Sequence, residues 1–131
     1  MCYYIYGALF GDIDLNNYQA LENNYEMKIR LGTKHDVKMS VQHVDCDYRV
    51  TEGCCDCESD LGKGDIDAEE VKQCADLLND IKNIKGAEYI YLCKTWAGKN
   101  NKKEKHMKLG EINIQEVLAN FEENCLYIFE V

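Results

Sequence analysis

The first apolar run of the chain mixes aromatic and aliphatic residues without the polar alternation of a half-buried strand. It covers Cys2–Phe10 and is closed by a Gly-Asp pair. Apolar residues at both parities predict a strand buried on both faces of a sheet. Asp14 follows as a candidate N-cap, and the next apolar residues recur at helical spacing. We therefore predict a strand and then a short helix that ends near Glu22.

Two further strands are predicted before the middle of the chain. The segments Glu26–Leu31 and Asp36–His43 flank a polar turn, and the second alternates apolar and polar residues with period two. The alternation changes parity after His43, which a regular strand does not allow. We therefore expect a bulge or turn near Gln42–Val44.

The second half of the chain carries two capping-box patterns, in which an Asp or Asn is followed by glutamate three positions later. They are Asp67–Glu70 and Asn113–Glu116, and each precedes apolar residues at helical spacing. The stripe of the first helix is Val71, Cys74, Ala75, Leu78, Ile81 and Ile84. Strand composition returns in Glu88–Trp96 and in Cys125–Val131.

These segments predict one layered domain that spans residues 1–131. The predicted order is β-α-β-β, a cysteine-rich loop, and then α-β-α-β. A single chain of 131 residues suits one core. The order indicates an α+β or α/β domain with a mixed sheet on which the helices pack.

Composition and charge narrow the class of partner. The net charge of −9 opposes general attraction to nucleic acid or to an anionic membrane. No apolar stretch is long enough to span a bilayer, and the first residues lack the pattern of a secretory signal. We therefore expect a cytoplasmic protein, in which the eight cysteines stay reduced and do not form disulfides.

Four of these cysteines lie in one acidic segment, Val44–Asp60. Cys55 and Cys57 form a C-x-C pair, and residues two apart in an extended chain project to the same side. Two thiolates from one short segment, joined by further sulfur or imidazole donors, suit tetrahedral zinc. The predicted zinc ligands are Cys55, Cys57 and Cys46, with His43 as the fourth and His35 as its alternative.

Two other interpretations of this segment remain open. Cys46 and Cys54 can be small buried residues, with Cys55 and Cys57 as free thiols on a loop. Alternatively, the vicinal and C-x-C thiols can act in redox chemistry. The surrounding carboxylates oppose a second negative charge, which counts against both metal binding and fast thiolate chemistry. The cysteines outside the segment are expected in the core: Cys2, Cys74, Cys93 and Cys125.

Two polar segments are further candidates for function. His35, beside Asp36, could serve as a general base, although a solvated turn explains the same residues. The stretch Lys94–Lys108 holds six lysines, one glutamate and the neighbouring Trp96. We expect it to be a loop that contacts a small anion or an acidic protein partner, with single-stranded nucleic acid a lesser alternative. Whether the protein is an enzyme is left open by the sequence.

Overall fold

The computed structural model describes residues 3–24, 30–31, 56–96 and 101–131. Within these ranges the chain forms strands, helices and one 3₁₀ turn in a single order. The elements are β1 (Tyr3–Gly11), α1 (Leu15–Asn24), β2 (Arg30–Leu31), α2 (Glu69–Lys82), β3 (Ala87–Trp96), β4 (Lys103–Lys108), a 3₁₀ turn (Leu109–Glu111), α3 (Ile114–Ala119) and β5 (Cys125–Glu130).

The described strands form one mixed sheet with the spatial order β2-β1-β3-β5-β4. β1 and β2 run parallel, as do β4 and β5, whereas β3 is antiparallel to both of its neighbours. A mixed sheet that carries helices confirms the predicted α+β class. The strand β1 is buried along most of its length, as its two-sided apolar pattern predicts.

Alternate residues of the central strands divide the core into two layers. One layer holds Ile5 and Leu9 of β1 together with the apolar stripes of α2 and α3, so the helices cover this face of the sheet. The opposite face holds a second buried cluster, which consists of Tyr6, Ala8, Phe10, Cys93, Leu126 and Ile128. Burial of both faces explains why the central strands read as continuous apolar runs.

Two helix starts form as their sequences predict. The Asp14 side chain precedes α1 and accepts a hydrogen bond from the Asn16 backbone N–H at 2.7 Å. Asn113 is the N-cap of α3, and its Oδ1 accepts from the Glu116 N–H at 3.1 Å. Each side chain satisfies one of the donors that the first turn of a helix leaves unpaired.

The predicted cap of α2 is wrong. The N-cap residue is Ala68, which offers no side-chain acceptor, and the helix begins at Glu69. Asp67 lies before the cap, where its N–H donates to the Asp65 side chain at 3.0 Å. The helix itself and its stripe are confirmed, because Val71, Cys74, Ala75, Leu78 and Ile81 are all buried.

The lysine-rich stretch is also not the loop that its composition predicts. Its residues Lys103–Lys108 form β4, which pairs with β5 at the end of the sheet. Five of the six residues of β4 are polar, so its sequence lacks the apolar alternation that predicts a strand. This composition is typical of an exposed edge strand. Of the predicted strand Glu26–Leu31, the structure describes the part that forms β2. The predicted strand Asp36–His43 and its bulge lie outside the described residues.

Candidate functional site

The described end of the cysteine segment lies against the first residues of β1. The Asp56 N–H donates to the Tyr3 carbonyl at 2.8 Å, and its Oδ2 accepts from the Ile5 N–H at 2.7 Å. The Tyr3 N–H in turn points at the Cys57 Sγ, 3.4 Å away. These contacts continue the hydrogen bonding of β1 onto the segment, so the half-buried Cys57 thiol is held at a fixed place beside the sheet.

Helix α2 holds the next residues, Ser59–Leu61, in place through hydrogen bonds. Glu70, in its first turn, accepts a hydrogen bond from the Ser59 hydroxyl through Oε1 and one from the Asp60 N–H through Oε2 at 3.2 Å. Ser59 Oγ also accepts from the Leu61 N–H at 3.3 Å. Glu70 therefore does not close a capping box on its own helix, because its carboxylate is used by the preceding segment.

The residues that directly follow the segment cap α3. The N–H groups of Gly62 and Gly64 donate to the carbonyls of Leu118 and Ala119 at 3.0 and 2.7 Å, which satisfies two of the acceptors at the helix C-terminus. Gly62 has φ +86°, and a Cβ built there would lie 2.4 Å from the Phe121 carbonyl oxygen. A side chain at this position would therefore push Gly62 and its neighbours away from the end of α3.

Lys94 lies inside this arrangement and not on the surface. Its side chain is 2% exposed, its Nζ donates to the Leu61 carbonyl at 3.2 Å, and Glu123 Oε1 is 3.9 Å away. The ammonium group thus joins β3 to Leu61, the residue that follows the cysteine segment. This first lysine of the basic stretch therefore stabilises the fold, and it is too buried to contact a partner.

An aromatic pair lies at the same end of the sheet. The rings of Tyr3 and Trp96 meet edge to face with their centroids 4.8 Å apart. A hydrogen bond to Glu123 is the main reason that the pKa of the Tyr3 hydroxyl lies above its usual value, with burial as the next cause. Tyr3 therefore contacts Cys57 through its backbone N–H, and its ring contacts Trp96 and lies 6.0 Å from the Lys94 Nζ.

Of the predicted zinc ligands, the structure describes Cys57. Cys46, Cys55 and His43 lie outside the described residues, as do Cys54 and His35 of the alternative predictions. Among the residues that are described, no three His, Cys, Asp or Glu side chains form a group that could hold a metal ion. The ligand set therefore stays a prediction.

The other described cysteines belong to the core, as predicted. Cys74, Cys93 and Cys125 are buried free thiols. Burial raises the pKa of Cys74 to about 12, and it also raises the pKa of Cys93 and Cys125. Protonated thiols are poor nucleophiles, so these three serve as small apolar side chains.

The edge strand β4 forms a second candidate site. Glu122 pairs with Lys103 at 2.5 Å and with Lys105 at 3.1 Å, and the two lysines hold the pKa of that carboxyl below its usual value. On the other face of the strand, His106 Nε2 lies 3.0 Å from Glu104 Oε2. The edge therefore carries alternating charge instead of a uniformly basic surface.

Two clefts flank β4, one on each face of the sheet. The larger, of about 460 Å³, is lined by residues that include Tyr89, His106 and Ile128. The smaller, of about 330 Å³, lies between β4 and α3 and is lined by residues that include Val117 and Tyr127. Met107 borders both clefts, so the strand separates two concave surfaces of mixed apolar and polar character.

The fold and these two sites define a small mixed-sheet α+β protein. Comparisons of the chain with protein-family models, with curated proteins and with solved structures found no match. Among the described residues, no helix has the length and apolar composition needed to cross a membrane.

Proposed function

We propose that this chain is a small cytoplasmic binding domain whose Cys46/Cys54–Cys57 segment holds a structural zinc ion. The observation that carries the proposal is the anchoring of Cys57. Its Sγ accepts a hydrogen bond from the Tyr3 backbone N–H at 3.4 Å, and the preceding residue, Asp56, is hydrogen bonded to the Tyr3 carbonyl and the Ile5 N–H of β1. Hydrogen bonds to the ligand atom are typical of protein metal sites, because they orient the ligand and stabilise its charge.

The donor chemistry fits zinc better than other common ions. The proposed ligands are Cys46, Cys55, Cys57 and His43. Thiolates with one imidazole favour tetrahedral zinc, whereas the hard cations calcium and magnesium take oxygen ligands. A zinc ion would also offset part of the negative charge of the segment, which carries carboxylates on both sides of Cys46 and of Cys57. Its role is structural in this proposal, because four protein ligands leave no open position for a substrate.

Native mass spectrometry of protein purified without chelator tests the proposal. We expect the mass of the chain plus one zinc ion, and we expect Cys57→Ala to lose the ion. Cys74→Ala is the matched control, because Cys74 is a buried thiol on α2 that is outside the proposed ligand set. An apo mass for the unaltered protein, with eight reactive thiols on unfolding, would end the zinc proposal.

The second candidate is partner binding at β4, favoured by the position of this strand at the end of the sheet. Its exposed side chains include Lys103 and Lys108, and Lys102 precedes it on the surface. An acidic protein partner would bind there through ion pairs that salt screens.

A glutamate-rich peptide is a direct probe of this second candidate. We expect salt-sensitive binding that weakens in the Lys102→Gln/Lys108→Gln variant and persists in Lys72→Gln, which changes an exposed lysine of α2. Equal binding by both variants would remove β4 as the contact surface.

A further inference from the structure

The outer edge of β4 has no neighbour among the described strands. β4 is the last strand of the sheet, and its inner edge is paired with β5 along six residues. An edge strand presents backbone N–H and C=O groups that can pair with another extended chain. Charged side chains on such edges often prevent pairing with other chains, so the pattern of charge determines which partner strand can bind.

Charges on β4 alternate in a way that matches the strand to itself. Glu104, His106 and Lys108 share one face, since alternate residues of a strand project to the same side. The register with β5 supports this assignment of faces, because Glu104 pairs with Leu126 and His106 with Ile128, and both partners belong to the same buried layer. From either end of the strand, this face presents a charged residue, then His106, and then a residue of the opposite charge.

We propose that two copies of the chain pair their β4 edges antiparallel about a two-fold axis at His106. Glu104 of each copy then lies opposite Lys108 of the other, which gives two symmetric ion pairs across the new strand boundary. On the other face, Lys105 of one copy lies opposite Met107 of the second copy. This inference rests on β4 as the interaction surface proposed above and names its partner.

Other symmetric registers are less favourable. In a two-fold antiparallel pair, residues that lie opposite each other are an even number apart, so the axis passes through one residue of the strand. An axis at Glu104 or Lys105 would place identical charges face to face, which is destabilising. An axis at Met107 would oppose His106 to Lys108 and leave Glu104 without a cation across the boundary. Among these registers, the one centred on His106 pairs both charged residues of its face.

The charge distribution also favours a second copy over a purely acidic partner. Glu122 already pairs with Lys103 and Lys105, so two lysines of the strand are partly neutralised within the molecule. The same edge also presents Lys108 and Glu104, the latter 3.0 Å from the His106 imidazole of its own strand, and an acidic peptide would repel this glutamate. A partner edge that carries both signs at matching positions satisfies both.

Side chains of an added strand alternate between the two faces of the sheet. One short strand gives a small interface, and interfaces below about 1,200 Å² are typically weak or transient. We therefore expect a reversible dimer whose fraction rises with protein concentration.

Sedimentation velocity across a concentration series, with charge-exchange variants, tests the pairing. Glu104→Lys and Lys108→Glu should each weaken the dimer about tenfold or more, because each places like charges opposite each other at two symmetric positions. An equimolar mixture of the two variants should form a heterodimer, because all its cross-strand pairs again have opposite signs. The double variant should restore the homodimer. Lys85→Glu, an exposed change in the turn after α2, is the control and should leave association unchanged.

Recovery of association in the mixture cannot come from misfolding of either variant, so it supports the register directly. A monomer at every concentration at which the unaltered protein is soluble would overturn the inference. Dimerisation that none of the charge changes affects would also overturn it. If the monomer still binds the glutamate-rich peptide in a salt-sensitive way, β4 stands as an interaction surface and its partner is not a second copy.

Discussion

Replacement of Glu70 by alanine tests how the cysteine segment is held to the helical layer. Glu70 lies in the first turn of α2, and its two carboxylate oxygens accept from the Ser59 hydroxyl and from the Asp60 N–H. Alanine removes both acceptors and leaves the helix backbone intact, since it has high helix propensity. The buried Ser59 hydroxyl then loses its acceptor.

The expected cost follows from these two contacts. Hydrogen bonds to a charged group contribute about 1.5–3 kcal/mol each when shielded, and the half-buried position of Glu70 places its bond from Ser59 at the low end of this range. The longer bond from the Asp60 N–H, at 3.2 Å, adds about 0.5 kcal/mol. We expect the free energy of unfolding to fall by about 2 kcal/mol. For a domain of this length, that corresponds to a melting temperature lower by about 7 °C.

Glu69→Ala supplies the matched control. Glu69 is the neighbouring carboxylate of the same first turn and has the same favourable interaction with the helix dipole. It makes a long contact with Gln73 at 3.5 Å and no hydrogen bond to the described residues of the cysteine segment. We expect Glu69→Ala to cost about 0.5 kcal/mol, which is the dipole contribution alone.

Thermal and urea unfolding followed by circular dichroism measure both variants. Cys57 gives a second readout, because release of the segment should raise its rate of alkylation in Glu70→Ala and not in Glu69→Ala. Equal loss of stability in the two variants would refute the role of Glu70 as the link between α2 and the segment. An unchanged alkylation rate in Glu70→Ala would refute it as well.

Three other outcomes are expected from single residues. Iodoacetamide at neutral pH should modify Cys57 before Cys74 in the folded, metal-free protein, because burial raises the pKa of Cys74 to about 12. Peptide mass mapping measures the order of modification, and the reverse order would contradict this prediction. Asn113→Ala should lower the free energy of unfolding by about 1 kcal/mol through loss of the α3 cap, and Asn113→Asp should not. The pKa of Glu122 is lowered by the two lysines of β4, so its contribution is complete above the usual carboxyl range and is lost as pH falls through the depressed pKa. Unfolding titrations should therefore show that the stability difference between the protein and Glu122→Gln shrinks in acid.

Local patterns predicted most of the fold. The two-sided apolar run of β1, the stripe of α2 and the cap at Asn113 each depend on residues close together in the chain, and the structure confirms all three. The core positions of Cys74, Cys93 and Cys125 follow from the same patterns. In each case, the neighbours that determine the element are within one helical turn or one strand.

Other features depended on partners distant in sequence. The pattern Asp67–Glu70 resembled a capping box, yet Glu70 finds its donors in the segment before the helix. Lys94 resembled a surface charge, but the Leu61 carbonyl and Glu123 accommodate it in the interior. Charge and spacing are visible in a sequence, whereas the acceptor that makes burial of an ammonium group favourable is not.

The sequence by itself determined the α+β class, the main helices and central strands, and the confinement of three cysteines to the core. These features follow from the periodic spacing of apolar residues that are neighbours in the chain. The tertiary structure alone decided that Lys103–Lys108 is an edge strand, since this strand forms through hydrogen bonds to β5 and ion pairs to Glu122. It also decided where Cys57 lies, because the backbone of Tyr3 and Ile5, more than fifty residues earlier, positions that thiol. Contacts of that separation leave no local pattern from which they can be inferred.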